Sequence, residues 1–518
     1  MTGKIVLFIS VLLLTIGATV YGKDNVPRKL DPGGVTTGNA NDVPAANPGA
    51  PGLEEVANAV GRNKVSINMM WVLITGFLVM FMQAGFAMVE AGLTRAKNAA
   101  HTIAMNFLIY PLGMLGFYVC GFALMFGGFG TLSTLGGADA LNSEFSLNLG
   151  GHSFGLFGMK GFLLGGSVYD VGILSLFLFQ MVFMDTTATI PTGSMAERWK
   201  FSSFFIYGLF VGTIIYPIYG NWVWGGGWLA TLGKEYGLGH GHVDFAGSSV
   251  VHLTGGVLAF VGAYLLGPRI GKYNKDGSVN AIPGHNIVMA AVGTFILAFG
   301  WFGFNSGSTL AGTDLRISVV AVNTMIASAT GAIAAVLYMW LIRTKKPDPS
   351  MMFNGMLAGL VAITAPCAFV SVSGAAIIGL ISGFLVIEAS LFFDQKVKVD
   401  DPVGAIAVHG VNGIWGCLAL GLFADGTYGE GWNGVAGTVT GLFYGGGLSQ
   451  FFAQFIGVTA NVIYVGTAGW LMFKFIDKIV GNRVKPEHEL FGLDIPEMGV
   501  EAYAGVKMDK NAETPLSR

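Results

Sequence analysis

Asp244-Phe-Ala-Gly247-Ser-Ser-Val-Val251-His252 and Asp401-Pro-Val-Gly404-Ala-Ile-Ala-Val408-His409 both fit D-x-x-G-x-x-x-V-H, 157 residues apart. Each leads into an apolar run of helical length. An aspartate at such a start caps the helix, because its carboxylate meets free amides and the positive end of the dipole. Each histidine lies eight residues further on, about 12 Å deeper at 1.5 Å rise per residue. A chance match between glycine-rich helices is the alternative reading of these four shared positions.

Outward from these two lead-ins, apolar runs broken by short polar clusters give eleven spans: 67–91, 101–126, 170–195, 202–220, 245–266, 286–310, 317–342, 353–370, 374–393, 403–424 and 448–475. Composition agrees. Of 518 residues, 53% are hydrophobic and 11% charged, and the mean hydropathy is +0.63. A soluble domain carries roughly 25% charged residues, so a soluble enzyme, a disordered chain and a coiled coil are excluded. The 79 glycines, about twice the usual share, let membrane helices approach closely. A net charge of −2 argues against nucleic acid as a partner. Cys120, Cys367 and Cys417 fall inside apolar runs and have neither a disulfide frame nor zinc spacing.

Orientation follows from the basic loops. Arg95, Lys97, Arg198, Lys200, Arg269, Lys272, Lys275, Arg343, Lys345, Lys346, Lys396 and Lys398 fall on one side, twelve in all, against Lys160, Lys234 and Arg316 on the other. The basic side is predicted to be cytoplasmic, with the N-terminus outside and the C-terminus inside. The two lead-ins then start from opposite faces and bring both histidines to the mid-plane. The expected architecture is an all-α integral membrane protein of eleven transmembrane helices, an inverted 5+5 pseudo-twofold repeat plus an eleventh helix, with a substrate path at the repeat interface. Phe81…Gly85-Phe86 and Phe299…Gly303-Phe304 echo the repeat in spans one and six.

The flanks complete the organisation. Residues 1–22 carry a short basic start and an apolar run from Ile5 to Val20, which reads as a cleaved signal peptide. A first transmembrane helix is the alternative, and the run is shorter than the ~20 residues needed to span. Residues 23–65, rich in Pro, Gly and Asn, read as an exported segment without order. Residues 66–476 form the membrane domain and 477–518 a cytoplasmic tail. In the long 127–169 connection, Gly155-Leu-Phe-Gly-Met159 is expected to form a short interfacial helix.

Of eight histidines, His252 and His409 lie well inside spans. An ionisable group there points to function, and a neutral imidazole offers one donor and one acceptor for proton relay. A histidine hydrogen-bonded to backbone is the structural alternative, and one haem held between the pair is a third. Gly239-His240-Gly241-His242 is a weak metal signal in an outer loop. Trp and Phe crowd the same outer ends, at Phe179, Phe183, Trp224, Trp228, Trp301 and Phe304. Most such aromatics pack or mark the interface, but their faces also attract cations by ~0.5–2 kcal/mol.

These motifs resemble the ammonium transporter (Amt/Mep/Rh) family over residues 66–505. The resembling stretches are Gly85-Phe-Ala-Met-Val-Glu-Ala-Gly-Leu-Thr-Arg-Ala-Lys-Asn98, Gly193-Ser-Met-Ala-Glu-Arg198, Trp224-Gly-Gly-Gly227, Gly300-Trp-Phe-Gly-Phe-Asn305, Val408-His409-Gly410 and the Asp244 lead-in. Trp224 and Ser308 place the likeness in the Amt branch rather than the Rh branch. The resemblance implies a homotrimer with one pore per protomer in the cell's inner (plasma) membrane, and no enzyme activity or cofactor. By similarity, Trp224, Phe183 and Ser308 form an external ammonium site supported by Asp244. Phe183 and Phe304 form the gate, His252 and His409 line a hydrophobic pore, and Phe179 and Trp301 neighbour the gate.

The chemistry of ammonium suits such a path. Ammonium can shed a proton and cross apolar space as ammonia, whereas an ion that stays charged meets at least ~2.5–3.5 kcal/mol at mid-membrane. Electrogenic uptake is expected over net ammonia movement, and methylammonium serves as an analogue. Asp185 departs from the family's small apolar residue. It is expected to point away from the Phe183 face and to bond Thr186 or Thr189, with added negative potential as the functional alternative. Glu90, Glu197 and Arg198 read as structural. The tail from Gly481 to Tyr503 resembles a regulatory tail that docks a PII-type signalling protein, although Met498 replaces a frequent histidine. An ammonium sensor of the same fold is the competing function; about forty residues after 476 are too few for an added signalling domain.

Overall fold

The computed structural model describes residues 43–47, 49–136 and 140–504. The expected signal peptide lies outside the described residues. The chain divides into two units, 1–63 and 64–518. In the described part of the first, the Ala46 and Gly52 amides both donate to the Glu55 carboxylate at 2.6 Å, and α1 (Leu53–Leu93) begins. Residues 53–65, expected to lack order, are therefore helical. Glu54 and Glu55 occupy the first turn, where carboxylates suit the dipole. The Pro- and Gly-rich composition upstream obscured this start.

The second unit is helical. After α1 come α2 (Ala96–Phe126), α3 (Val171–Ser194), α4 (Phe201–Val223), α5 (Ser248–Leu266), α6 (Ile287–Ser306), α7 (Ile317–Arg343), α8 (Pro349–Thr364), α9 (Val372–Val397), α10 (Ile406–Phe423) and α11 (Ser449–Val480). Among the described residues, ten of these are long and apolar enough to cross a membrane. The remaining helix, α8, has 16 residues and reaches about 24 Å, short of a ~30 Å hydrocarbon core. It stops before the predicted 370 because Ala365 precedes Pro366, a position that disfavours helix. The non-helical chain beyond is buried, and Asn323 Nδ2 donates to the Cys367 and Val370 carbonyls at 2.9 and 2.8 Å. Irregular backbone at such depth is tolerated only when protein satisfies it. Glycine sets the packing of α7, α8 and α9: a Cβ on Gly359 would strike the Ala327 carbonyl, and one on Gly383 the Gly331 carbonyl.

The stretch expected as an interfacial helix is the second strand of a hairpin, β1 (Glu144–Leu149) with β2 (His152–Gly158), antiparallel. Gly150 and Gly151 both have positive φ, 61° and 86°, as a two-residue turn of primed type requires.

On the face that carries the basic loops, Arg269 is the hub. It bonds both Asp400 oxygens at 2.8 and 2.9 Å and pairs with Glu197 at 3.2 Å, while Arg95 bonds Glu197 at 2.6 Å. Arg198, adjacent to Glu197 in sequence, instead donates to the carbonyls of Gly267, Ala196 and Asp400. The tail is stitched beneath. Asp494 accepts from the His101 amide at 3.0 Å and Glu497 from the Phe201 amide at 3.0 Å, so tail carboxylates meet the first turns of α2 and α4.

Candidate functional site

The two lead-ins sit at opposite ends of α8. The Ala246 amide donates to the Thr364 carbonyl at 3.2 Å, whereas Asn354 Nδ2 donates to the Val403 carbonyl at 3.1 Å. Gly247 and Gly404 take φ of 118° and 80°, conformations that favour glycine. Both lead-ins then enter a π turn, Ser248–Leu253 and Ile406–Val411, each bearing its histidine. Such turns recur at functional sites because they re-aim a side chain. The helices cross so closely that a Cβ on Gly256 would overlap the Gly410 backbone.

The crossing brings the imidazoles together. His252 Nδ1 and His409 Nδ1 are 3.1 Å apart, with ring centroids at 5.2 Å. One proton is shared between two nitrogens, so one ring donates and the other accepts. Neither ring is more than 5% exposed, and His252 Nε2 has no partner among the described residues. Atoms in hydrogen-bond contact leave no space for an iron and its macrocycle, so a haem between these rings is excluded.

Call the face opposite the basic loops the upper face. Phe183 and Phe304 stack above the histidines at 4.1 Å between centroids. Phe304 lies 5.4 Å and Trp301 5.2 Å from the His252 ring, and Trp301 is fixed by its indole bond to Thr364 Oγ1 at 3.0 Å. Phe179 lies 4.6 Å from Phe183. Over this lid opens a cavity lined by Phe179, Trp224, Asp244 and Ser308 among others. Ser308 Oγ donates to the Phe304 carbonyl at 2.8 Å, which leaves its lone pairs for an N–H donor. Below the histidines a smaller cavity is lined by Phe86, Glu90, Asn354, Leu357 and His409. Phe86 sits 6.1 Å from the His409 ring, as Phe304 sits near His252.

Asp244 faces this site through its charge rather than through free oxygens. Its carboxylate accepts from the amides of Gly247, Ser248, Ser249 and Val250 at 2.8–2.9 Å and from Ser249 Oγ at 2.7 Å. Its carbonyl accepts the Trp224 indole N–H at 2.6 Å, which orients that ring over the cavity. His242, Asp244 and Cys417 bring possible ligand atoms within 4.8 Å, but five donors already occupy the carboxylate. His240 and His242 take different partners, the Gly437 carbonyl and Ser249 Oγ, so the two do not form a joint metal clamp. Burial pushes His242 down to about 4.

Asp185 is 2% exposed and its Oδ1 has no partner among the described residues. The threonines expected to satisfy it do not: Thr186 donates to the Val182 carbonyl and Thr189 to Gln83 Oε1. Glu90, in contrast, lines the lower cavity and accepts from Thr192 Oγ1 and Asn106 Nδ2.

Sequence reading missed the polar stripe of α11. Gln450 bonds the His240 amide and the Gly241 carbonyl, Gln454 the Val243 amide and carbonyl, and Asn461 the Ser249 carbonyl. Three amide side chains spaced four and seven residues apart in an apolar span were the available signal. The helix α11 therefore holds the Asp244 lead-in.

The chain is 47% identical to the ammonium transporter Amt2 of Archaeoglobus fulgidus, over 85% of this chain and 89% of that protein. It is 35% identical to the ammonium transporter Amt1 of Haloferax mediterranei, over 84% and 79%. Among solved structures, a sensor Amt protein superposes with a TM-score of 0.73 at 37% identity, covering 84% of this chain and 99% of that one. Mep2 of Candida albicans, at 24% identity, shares the fold with a TM-score of 0.69 over 87% and 93%. A profile of the Ammonium Transporter Family matches residues 70–503, and the chain belongs to that family of multi-pass membrane transporters.

Proposed function

We propose that this protein takes up ammonium through a twin-histidine pore. The observation that carries the reading is the His252–His409 contact, set between two cavities and roofed by the Phe183–Phe304 stack. In this reading the upper cavity is external. Trp224, Phe183 and Ser308 collect the cation, and Asp244 supplies negative potential from behind its amide cage. The stacked phenylalanines exclude water, so an ion that cannot lose its charge is rejected. Below them the histidine pair presents one N–H and one bare nitrogen to the pore. It can therefore accept hydrogen bonds from ammonia and pass a proton. Movement of both species makes uptake electrogenic, and an absence of current on ammonium pulses to active proteoliposomes would refute this.

The same proposal includes eleven spans in an inverted five-plus-five repeat with α8 as the short member. It sets the N-terminus outside and the basic loops and tail in the cytoplasm, in a homotrimer in the inner (plasma) membrane with a PII-type protein at the tail. A sensor of the same fold is the competing function, but the curated relatives at 47% and 35% identity carry transporter names. Uptake of labelled methylammonium tests the proposal. Wild-type protein is expected to saturate, Trp224→Ala to raise KM, and His252→Ala to lower the maximal rate. Binding without uptake in sealed vesicles would sink the transport reading.

A further inference from the structure

We propose that Glu144, on the hairpin above the membrane domain, is a positioning residue for Trp224, acting as a protonated acid that holds Asn221 and the 224–227 turn in place. The inference rests on the reading of Trp224 as part of the ammonium site.

Asn221 anchors that turn. Its carbonyl accepts the Gly225 and Gly227 amides at 3.0 Å each. Its side chain is fully buried, and Nδ2 donates to the Met125 carbonyl at 3.1 Å and to Glu144 Oε2 at 3.2 Å. The hairpin is docked on the same turn, with the Trp222 indole on the Leu156 carbonyl and the Trp228 amide on the Gly155 carbonyl, both at 3.0 Å. Glu144 Oε1 and Asn221 Oδ1 are both buried without a partner among the described residues. They flank one contact. A Cβ on Gly155 would lie 3.0 Å from Glu144 Oε1 and 3.1 Å from Gly227 Cα, and a Cβ on Gly227 would lie 2.7 Å from Asn221 Oδ1.

Two bare acceptors in one dry contact are unfavourable, and a proton on the carboxyl converts one of them into a donor. Burial pushes Glu144 up to about 7, against the lowering effect of the Asn221 bond. No ion pair among the described residues offsets this. The titratable groups on the surrounding elements include His152 and Glu235, which contact each other at 3.3 Å, Tyr236, whose ring packs on His152, Lys160, which bonds Asn142, and Tyr216 and Tyr219 on α4, the latter bonded to the Gly457 carbonyl. None of them bonds Glu144 among the described residues. An acid raised on folding stabilises the contact at low pH and loses that contribution as pH rises through its folded value. The turn is therefore held firmly in mild acid and loosens above neutrality.

The test is methylammonium uptake by proteoliposomes between about pH 6 and about pH 8 outside, a range over which the substrate stays overwhelmingly protonated. KM of the wild type is expected to rise about threefold to tenfold, the scale of one hydrogen bond, with little change in maximal rate. Glu144→Gln, which keeps a donor at every pH, is expected to hold KM low and flat. Infrared difference spectra supply a readout independent of transport: a protonated carboxyl band that disappears over the same interval and is missing from E144Q. Parallel KM profiles for the two proteins, or the absence of such a band, overturn the inference. Trp224→Ala separates the two levels. If it leaves KM unchanged, the ammonium-site reading fails and the inference goes with it. If it raises KM while E144Q tracks the wild type, only the role of Glu144 fails.

Discussion

The Asp244 and Asp401 lead-ins use the same backbone device and have different surroundings. Each has an aspartate cap, a glycine at positive φ, a π turn, a histidine and a phenylalanine beside that histidine. The upper aspartate holds five donors, whereas the lower accepts three amides, from Val403, Gly404 and Ile406, at 2.7–3.3 Å. The upper histidine lies under stacked rings, and the lower one opens on a cavity with Glu90 and Asn354. The lower lead-in instead gains an ionic brace from its neighbour Asp400, bonded to Arg269. The shared element places an imidazole, and what is packed around that imidazole differs between the two lead-ins.

The largest expected effect separates the two caps. Asp244→Ala strands four amides and a hydroxyl in a dry site, at about 1–3 kcal/mol for each group left unsatisfied. It is expected to abolish both uptake and membrane yield. Asp401→Ala strands three and is expected to leave folded protein with about a tenth of the uptake. Equal losses in the two variants, measured as uptake per folded protein, would break the asymmetry.

The ionic brace makes a second distinction, readable through pH. Burial pushes the Asp400 carboxyl up, but Arg269 and Arg198 outweigh it and hold the group well below its ordinary 3.8. Burial likewise raises Glu197, and Arg269 and Arg95 hold it below 4.5. Groups depressed on folding contribute stability above their unfolded values and lose it as pH falls through their folded ones. Thermal stability in detergent is therefore expected to fall as pH drops below about 4.5. Asp400→Asn removes one partner of a buried pair, which costs about 3 kcal/mol, and flattens the acid limb. An unchanged acid limb in that variant would show that the lower lead-in needs no brace.

A third effect concerns the two phenylalanines. Phe304→Ala removes the lower half of the stack, and aromatic pairs contribute about 0.5–1.5 kcal/mol beyond burial. Discrimination of methylammonium over potassium is expected to fall about tenfold on that scale. Phe86→Ala, which stacks on no second lid ring, is expected to change discrimination less than about twofold. Flux assays with both cations in the same vesicles measure it, and a matching loss in F86A would place selectivity in the repeat itself.

How much of this was legible in sequence depends on whether the signal is periodic. Asp, Gly and His at fixed offsets encode a cap, a turn and a depth, and those residues converge as the spacing implies. The Phe86 and Phe304 echo also lands beside the two histidines. The hairpin at 144–158 was misread because the apolar run Gly155-Leu-Phe-Gly-Met159 does not by itself separate a short strand from a short helix, although Gly150-Gly151 carried the turn signal. The helical start at Leu53 was hidden behind Pro and Gly that precede it. The Gln450, Gln454 and Asn461 stripe was passed over because α11 was expected to stand outside the repeat, yet its amides bond the backbone of the Asp244 lead-in and of the turn before it. Partners of single polar residues, such as Asp185, depend on neighbouring helices and leave no local trace.

Asp185 gives the smallest effect. It and Glu90 are the buried acids above and below the histidine level on α3 and α1, and they differ in satisfaction. Glu90 accepts from Thr192 on both oxygens and from Asn106, whereas Asp185 Oδ1 has no donor among the described residues. If Asp185 added negative potential to the upper cavity, Asp185→Asn would raise KM, and salt would mimic the change. Its position two residues from Phe183 turns it away from that ring, and no cavity residue bonds it. KM is therefore expected to stay within about twofold of the wild type. An amide replaces a carboxyl whose Oδ1 lacks a donor among the described residues, so the melting temperature is expected to rise by about 1–2 °C. The same substitution at the satisfied site, Glu90→Gln, turns one acceptor oxygen into a donor facing Thr192 or Asn106 and is expected to lower it. A rise in KM for D185N that added salt abolishes would move Asp185 into the recruiting field of the upper site.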